Sequence, residues 1–236
     1  MRSIYVDGRY EARNTDWHRA DSGWKAGQIR RILDRNDVRP RSIVDVGCGA
    51  GAILRELVAG LGGVVTARGF DISPQAGASG VEFRTGDFFA SEDRYDLLLL
   101  IDVFEHVPDC LGFLERVRPR AERFVFHIPL DLSASAVLRD RFVAIRREVG
   151  HLHHFTKGTA LATLEDAGFE VVDWFFTRGA LEVDSHHRGW KTALANALRR
   201  GLETVSEELA ARLLGGYSLM VLARPSDRGS PAGASR

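Results

Sequence analysis

Three glycines follow an aspartate at alternating positions in Ile43-Val44-Asp45-Val46-Gly47-Cys48-Gly49-Ala50-Gly51. The residues before them, Ser42–Val46, read as a short apolar strand. Behind them Ile53, Leu54, Leu57 and Val58 recur at helical spacing, which predicts a helix over 51–59. Glycine adopts backbone angles and close approaches that other residues resist. The first turn of the following helix presents unpaired N–H groups that favour an anionic ligand group. A strand, a glycine turn and a helix can cradle NAD, FAD or S-adenosylmethionine (SAM), and the turn alone does not choose among them.

Further acidic positions narrow the choice. A hydride-cofactor fingerprint places its third glycine further along, and none stands from position 52 onward in this stretch. Val64–Asp71 reads as a second strand ending in Gly69-Phe70-Asp71-Ile72-Ser73, where a carboxylate can accept hydrogen bonds from both ribose hydroxyls. A third strand, Gly80–Arg84, leads to Gly86-Asp87-Phe88-Phe89, a carboxylate followed by aromatics that suits an adenine amino group and ring. The fourth, Tyr95–Ile101, is the most apolar and runs into Asp102-Val103-Phe104-Glu105-His106-Val107.

These blocks, in this order on successive strand ends, resemble class I SAM-dependent methyltransferases over roughly residues 40–175. The Glu105-His106-Val107-Pro108-Asp109 stretch and the later His151-Leu152-His153-His154-Phe155-Thr156 segment are similar to the small-molecule branch that includes ubiquinone-type O-methyltransferases. The resemblance implies a Rossmann-like, doubly wound α/β sheet of seven strands, mostly parallel, with the last strand antiparallel. It also implies that Asp45, Gly47, Cys48 and Gly49 hold the methionine part of SAM. Asp71 would bind ribose, with Ile72 against adenine. Asp87 would take the adenine amino group with Phe88 beside it, and Asp102 and Val103 would lie near the methionyl amine and sulfonium.

A hydroxyl acceptor needs a base, and histidine is the natural one near neutral pH. His106, His153 and His154 are the expected catalytic candidates, with His127 near the end of the fifth strand as a further imidazole. Each has a plain structural alternative: for His106 the two are evenly matched, and His154 could simply cap or pack the following helix. The cluster His151-Leu152-His153-His154 lacks a carboxylate at recognisable spacing, so no metal site is expected. In the N-terminal segment Trp17-His18-Arg19-Ala20-Asp21-Ser22-Gly23-Trp24-Lys25, Trp24 is expected near the site. Lys25 or His18 is expected to contact the SAM carboxylate or the acceptor, while Trp17 reads as an anchor for the first helix.

The elements that must position these residues alternate as strand and helix, which points to a sheet covered on both faces. Helix Cys110–Val117 precedes a fifth strand, Arg123–Ile128. A helix over 159–167, closed by Gly168, precedes a strand at Phe169–Phe176, and Tyr217–Leu222 is the last strand. The expected organisation is a cap segment, 1–40, then a domain, 41–224, then a disordered Ser/Gly/Pro-rich tail, 225–236. The domain carries one inserted helix at 133–149 and a helical region at 186–214. The inserted helix could wall the acceptor pocket, and its arginines either face solvent or recognise an anionic acceptor. The region 186–214 could form a second wall or a homodimer surface.

Composition sets outer bounds. Lys plus Arg number 32 and Asp plus Glu also 32, so no basic excess points to a nucleic-acid partner. The two cysteines, Cys48 and Cys110, do not suggest a disulfide framework and fit a reducing, cytoplasmic compartment. The N-terminal residues lack a signal-type apolar stretch, and the longest apolar run, 97–101, is far too short to span a bilayer. The expectation is a methyltransferase acting on a small molecule, at a hydroxyl of a sugar or secondary metabolite. An N-methyltransferase on protein or nucleic acid, or a SAM-binding regulatory protein, remains open.

Overall fold

The computed structural model describes residues 19–73, 81–178 and 201–227, with side chains from residue 21 onward. Seven strands form one sheet in the order β3-β2-β1-β4-β5-β7-β6. They are β1 (Ser42–Val46), β2 (Thr66–Asp71), β3 (Glu82–Thr85), β4 (Tyr95–Ile101), β5 (Ala121–Pro129), β6 (Phe169–Thr177) and β7 (Ser218–Pro225). Strands β1 to β5 pair in parallel, while β7 runs antiparallel to both β5 and β6. This is the expected sheet, with the last strand as the antiparallel one.

The helices are α1 (Arg19–Arg35), α2 (Ala52–Gly60), α3 (Cys110–Val117), α4 (Ala134–Leu138), α5 (Phe142–Glu148), α6 (Lys157–Asp166) and α7 (Glu207–Leu214). Side chains alternate across the sheet because successive strand residues point to opposite faces. Val44, Leu98, Leu100, Phe124 and Phe126 join one core with Leu114 of α3 and Leu164 of α6. Ile43, Leu97, Leu99 and Val125 join the other with Ile29, Ile32 and Leu33 of α1 and Leu54 and Leu57 of α2. The unbroken apolar run of β4 follows from its place between β1 and β5, with both of its faces covered.

Two features differ from the sequence-based expectation. The insertion after β5 is two short helices rather than one over 133–149, because Asp140 sits at φ 49 and breaks the helical path between them. Its arginines, Arg139, Arg141, Arg146 and Arg147, are all exposed, so they face solvent and do not form an anionic-acceptor pocket. Strand β7 also continues to Pro225, past the expected end. Trp17, His18, residues 186–200 of the expected helical region and the end of the tail lie outside the described residues. Among the described residues no helix is long and apolar enough to cross a membrane.

Helix α1 brings a charged side chain to the sheet along with its apolar ones. Ser22, Lys25, Ala26, Ile29, Ile32 and Leu33 are buried at a spacing of three and four, so a single stripe faces the sheet and carries Lys25 with it. Ile29→Ala, which empties a wholly buried position on that stripe, is expected to cost about 2–5 kcal/mol. Urea denaturation measures it, and a loss under about 1 kcal/mol would show that α1 does not pack as described.

Candidate active site

Strand order reverses between β1 and β4, and the crevice above such a reversal is the usual ligand position in an open α/β sheet. A cleft of about 660 Å³ opens there, lined by the C-terminal ends of β1, β2, β4 and β5 and by the first turns of α1. Asp45 lies at the end of β1 but is not among its lining residues; Gly47, Cys48, Gly49, Asp71, Ile72, Asp87, Phe88, Asp102, Val103, Lys25 and His106 are.

The glycine turn is held from below. Gly47 and Cys48 donate their N–H groups to the Phe70 carbonyl at 2.8 and 3.1 Å. Gly47, Gly49 and Gly51 sit at φ 79, 51 and 69, the left-handed region that glycine enters without strain. A Cβ at Gly47 would stand 2.7 Å from Val103 Cγ2. Asp71 braces the turn as well: one oxygen accepts from Gly49 N–H at 2.8 Å, the other from Ser73 N–H at 2.8 Å. The Cys48 thiol lies under Gly69. Burial, with Asp45 and Asp71 nearby, pushes its ionisation far up and keeps it a thiol.

On the far side of the turn Ile72 is 53% exposed at the cleft edge, the open face expected of a residue that meets a ring. Asp87 caps a short 3-10 turn by accepting from Phe89 N–H at 2.9 Å. Phe88 is buried, edge-on to Phe70 at 5.2 Å, and so forms floor rather than a free stacking face.

Four elements meet at Asp102. Its backbone sits at φ 56 and its N–H donates to the His127 carbonyl at 3.0 Å. Its carboxylate lies 2.8 Å from Lys25 Nζ of α1 and 2.6 Å from His127 Nδ1 of β5. Lys25 also reaches Asp21 at 2.9 Å, and His127 Nε2 meets Thr177 Oγ1 of β6 at 2.9 Å. Trp24 stands edge-on to the His127 ring at 6.2 Å. Burial opposes charge on both partners, yet His127 and Lys25 hold the Asp102 carboxyl well below its usual range. Asp102 and Asp21 in turn hold Lys25 well above its own.

Asp45, at the end of β1, is 2% exposed and its Oδ2 has no hydrogen-bond partner. Burial, with Asp71 adding repulsion and Lys25 only partly relieving it, pushes its carboxyl up to about 7.

The histidines separate in a way that their spacing does not show. His106 lines the cleft, and burial beside His151 lowers its ionisation to about 4, so its ring is neutral near neutral pH. His153 and His154 are not brought to the cleft wall. His153 Nε2 bonds the Val107 carbonyl at 2.9 Å, and His154 sits 3.5 Å from Asp131 and against the Phe142 ring at 4.6 Å. Instead His151 lines the cleft, its ring 4.8 Å from that of His106 and its Nδ1 hydrogen-bonded to Asp131. Glu105, behind them, is wholly buried and both of its carboxylate oxygens lack hydrogen bonds, with His106 Nε2 3.9 Å from Oε1. Burial, with Asp102 next, pushes its carboxyl well up. No sequence signal favours His151 over its neighbours, because the choice depends on which way a non-helical segment turns.

Asp45 has a measurable consequence. Its folded-state value lies above the unfolded one, so between the two the native chain holds a proton that the unfolded chain releases. Stability contributed at low pH is therefore lost as pH rises toward about 7, a change on the order of 4 kcal/mol. Asp45→Asn removes this titration, so its stability relative to the parent is expected to rise from about pH 5 to about pH 8. Denaturant unfolding across that range checks it; a flat difference would mean that Asp45 titrates as in an open chain.

Known proteins share this fold. A family model described as a methyltransferase domain matches residues 17–173. Solved structures share the fold at low identity. Magnesium protoporphyrin IX methyltransferase from Synechocystis PCC 6803, with bound S-adenosylhomocysteine (SAH), aligns at TM-score 0.56 and 14% identity over 86% of this chain and 83% of its own. A SAM-dependent methyltransferase from Archaeoglobus fulgidus aligns at 0.56 and 18% over 84% and 94%. An O-methyltransferase family protein from Burkholderia thailandensis aligns at 0.53 and 14% over 95% and 64%. No curated protein sequence is significantly similar to the chain. The chain belongs to the methyltransferase-domain family and is a class I SAM-dependent methyltransferase.

Proposed function

We propose that the enzyme methylates a hydroxyl of a small-molecule acceptor, a sugar or secondary metabolite. The observation that carries this reading is the extension of the cleft beyond Asp102. It continues past Val103 to Val107, Pro108, Val149 and Trp24, with His106 and His151 set in an otherwise apolar wall. A concave pocket of this size with few polar groups suits a small molecule.

The residues present fit the cofactor. The bare glycine turn leaves room that a Cβ at Gly47 would close. The orphaned, buried Oδ2 of Asp45 is an acceptor without a donor, and a cationic ligand group supplies what it lacks. Asp45 and Asp102 would favour the amino group of the cofactor. Lys25, an ammonium with three donors of which two meet Asp21 and Asp102, would favour its carboxylate. Asp71, Ile72 and Asp87 would take the ribose and adenine. SAM supplies a methyl group activated on a sulfonium. The chain orients the acceptor, excludes water with α1 and Trp24, and meets the acceptor hydroxyl at the His106–His151 pair.

Gly47→Ala is expected to weaken SAH binding by at least about tenfold, and Gly47→Ala/Val103→Ala to recover part of that loss. Calorimetry reads both, and unchanged affinity in the single variant would remove the turn from the cofactor site. For the acceptor, the protein is incubated with methyl-labelled SAM and separate pools of sugars with phenols, of protein and of RNA. Label is expected on oxygen in the first pool; label in protein or RNA, or in no pool, would overturn the reading.

A further inference from the structure

Glu105, buried behind the cleft wall beneath His106 and His151, is a carboxylate that the proposed chemistry does not use. Its backbone carbonyl accepts from Leu152 N–H at 2.8 Å and His153 N–H at 3.1 Å, which ties the 3-10 turn Phe104–His106 to the segment holding His151. The tie brings Glu105, His106 and His151 together so that one ligating atom from each lies within 4.8 Å of the others. The His106 and His151 rings meet at 68° rather than stacking. Both carboxylate oxygens of Glu105 are buried without a hydrogen bond, with His106 Nε2 still 3.9 Å from Oε1, an arrangement that a buried carboxylate tolerates poorly unless a cation or donor meets it.

His151 is also prepared from behind. His151 bonds Asp131 through Nδ1, which leaves Nε2 as its lone-pair nitrogen. Metal-bound imidazoles are held in this way, through the ring nitrogen that does not ligate. Two imidazoles and one carboxylate form a donor set suited to zinc and its first-row neighbours, and a poor one for magnesium or calcium.

We propose that Glu105, His106 and His151 bind one divalent transition-metal ion of the zinc type in the wall of the cleft, with Asp131 as the residue positioning His151. The carboxylate that the histidine cluster lacks in sequence comes from the turn after β4. His106 and His151 line the cleft, so the remaining coordination positions face the acceptor space. An acceptor hydroxyl placed on such an ion ionises more easily. That consequence rests on the small-molecule reading; the metal site does not.

The test uses the full chain, freed of metal with a chelator and titrated with cobalt(II), followed by visible absorption. Zinc is then added as competitor. One cobalt per chain is expected, with an absorption typical of a low-coordinate nitrogen–oxygen site and displacement by zinc. Glu105→Gln and His151→Ala are each expected to weaken binding at least tenfold, and Asp131→Asn about tenfold. SAH affinity, measured on every variant, confirms that the fold is intact and tests the cofactor site separately. If Glu105→Gln does not fold, His151→Ala decides. Absence of stoichiometric cobalt or zinc binding by folded parent protein, or binding unchanged in His151→Ala, would each overturn the proposal.

Discussion

The Asp102 carboxylate, clamped between Lys25 and His127, is the contact on which the rest of this site depends. It joins α1, the turn after β4, β5 and, through Thr177, β6. Truncating one member of a buried pair of this kind leaves the other charge uncompensated, which typically costs more than the pair contributes. The arrangement therefore serves position more than stability. It fixes the first turns of α1 over the sheet reversal and places Trp24 and Lys25 at the cleft. Asp102 reaches both partners only because its backbone takes a left-handed turn where β4 ends.

Around that clamp the cleft carries more negative than positive charge. Asp45, Asp71 and Asp102 line or underlie the glycine turn, and Lys25 is the cation set among them. Asp45 accordingly holds its proton to about 7. A ligand with a sulfonium and an ammonium relieves this imbalance, so affinity for such a ligand follows from electrostatics that are already unfavourable without it. The same carboxylates do structural duty: Asp71 accepts one hydrogen bond from Gly49 in the glycine turn and one from Ser73 in its own loop.

The acceptor half of the cleft is built differently. Its walls come from segments between the regular elements: the 3-10 turn after β4, the end of the α4–α5 insertion at Val149, and His151 beyond it. Backbone hydrogen bonds from Leu152 and His153 to Glu105 hold two of these segments together. Family members that share the sheet can therefore differ in acceptor while keeping the cofactor half, because function lies in the site rather than the fold.

Sequence by itself determined the sheet, the approximate positions of its strands and the glycine turn with the acidic residues near it. Those features are local: a run such as Leu97–Ile101 must be covered on both faces, glycines at 47, 49 and 51 permit one kind of turn, and the acidic residues stand within a few positions of strand ends. Tertiary structure decided the rest, because side chains distant in sequence had to be brought face to face. Lys25 met Asp102 only through the burial stripe of α1. Among the histidines after Gly150, His151 and not His153 or His154 reached the cleft, since an irregular segment has no periodicity from which orientation can be read. Glu105 looked like part of a strand-end motif until the fold set its buried carboxylate beside two imidazoles, one of them from a segment beyond the next strand.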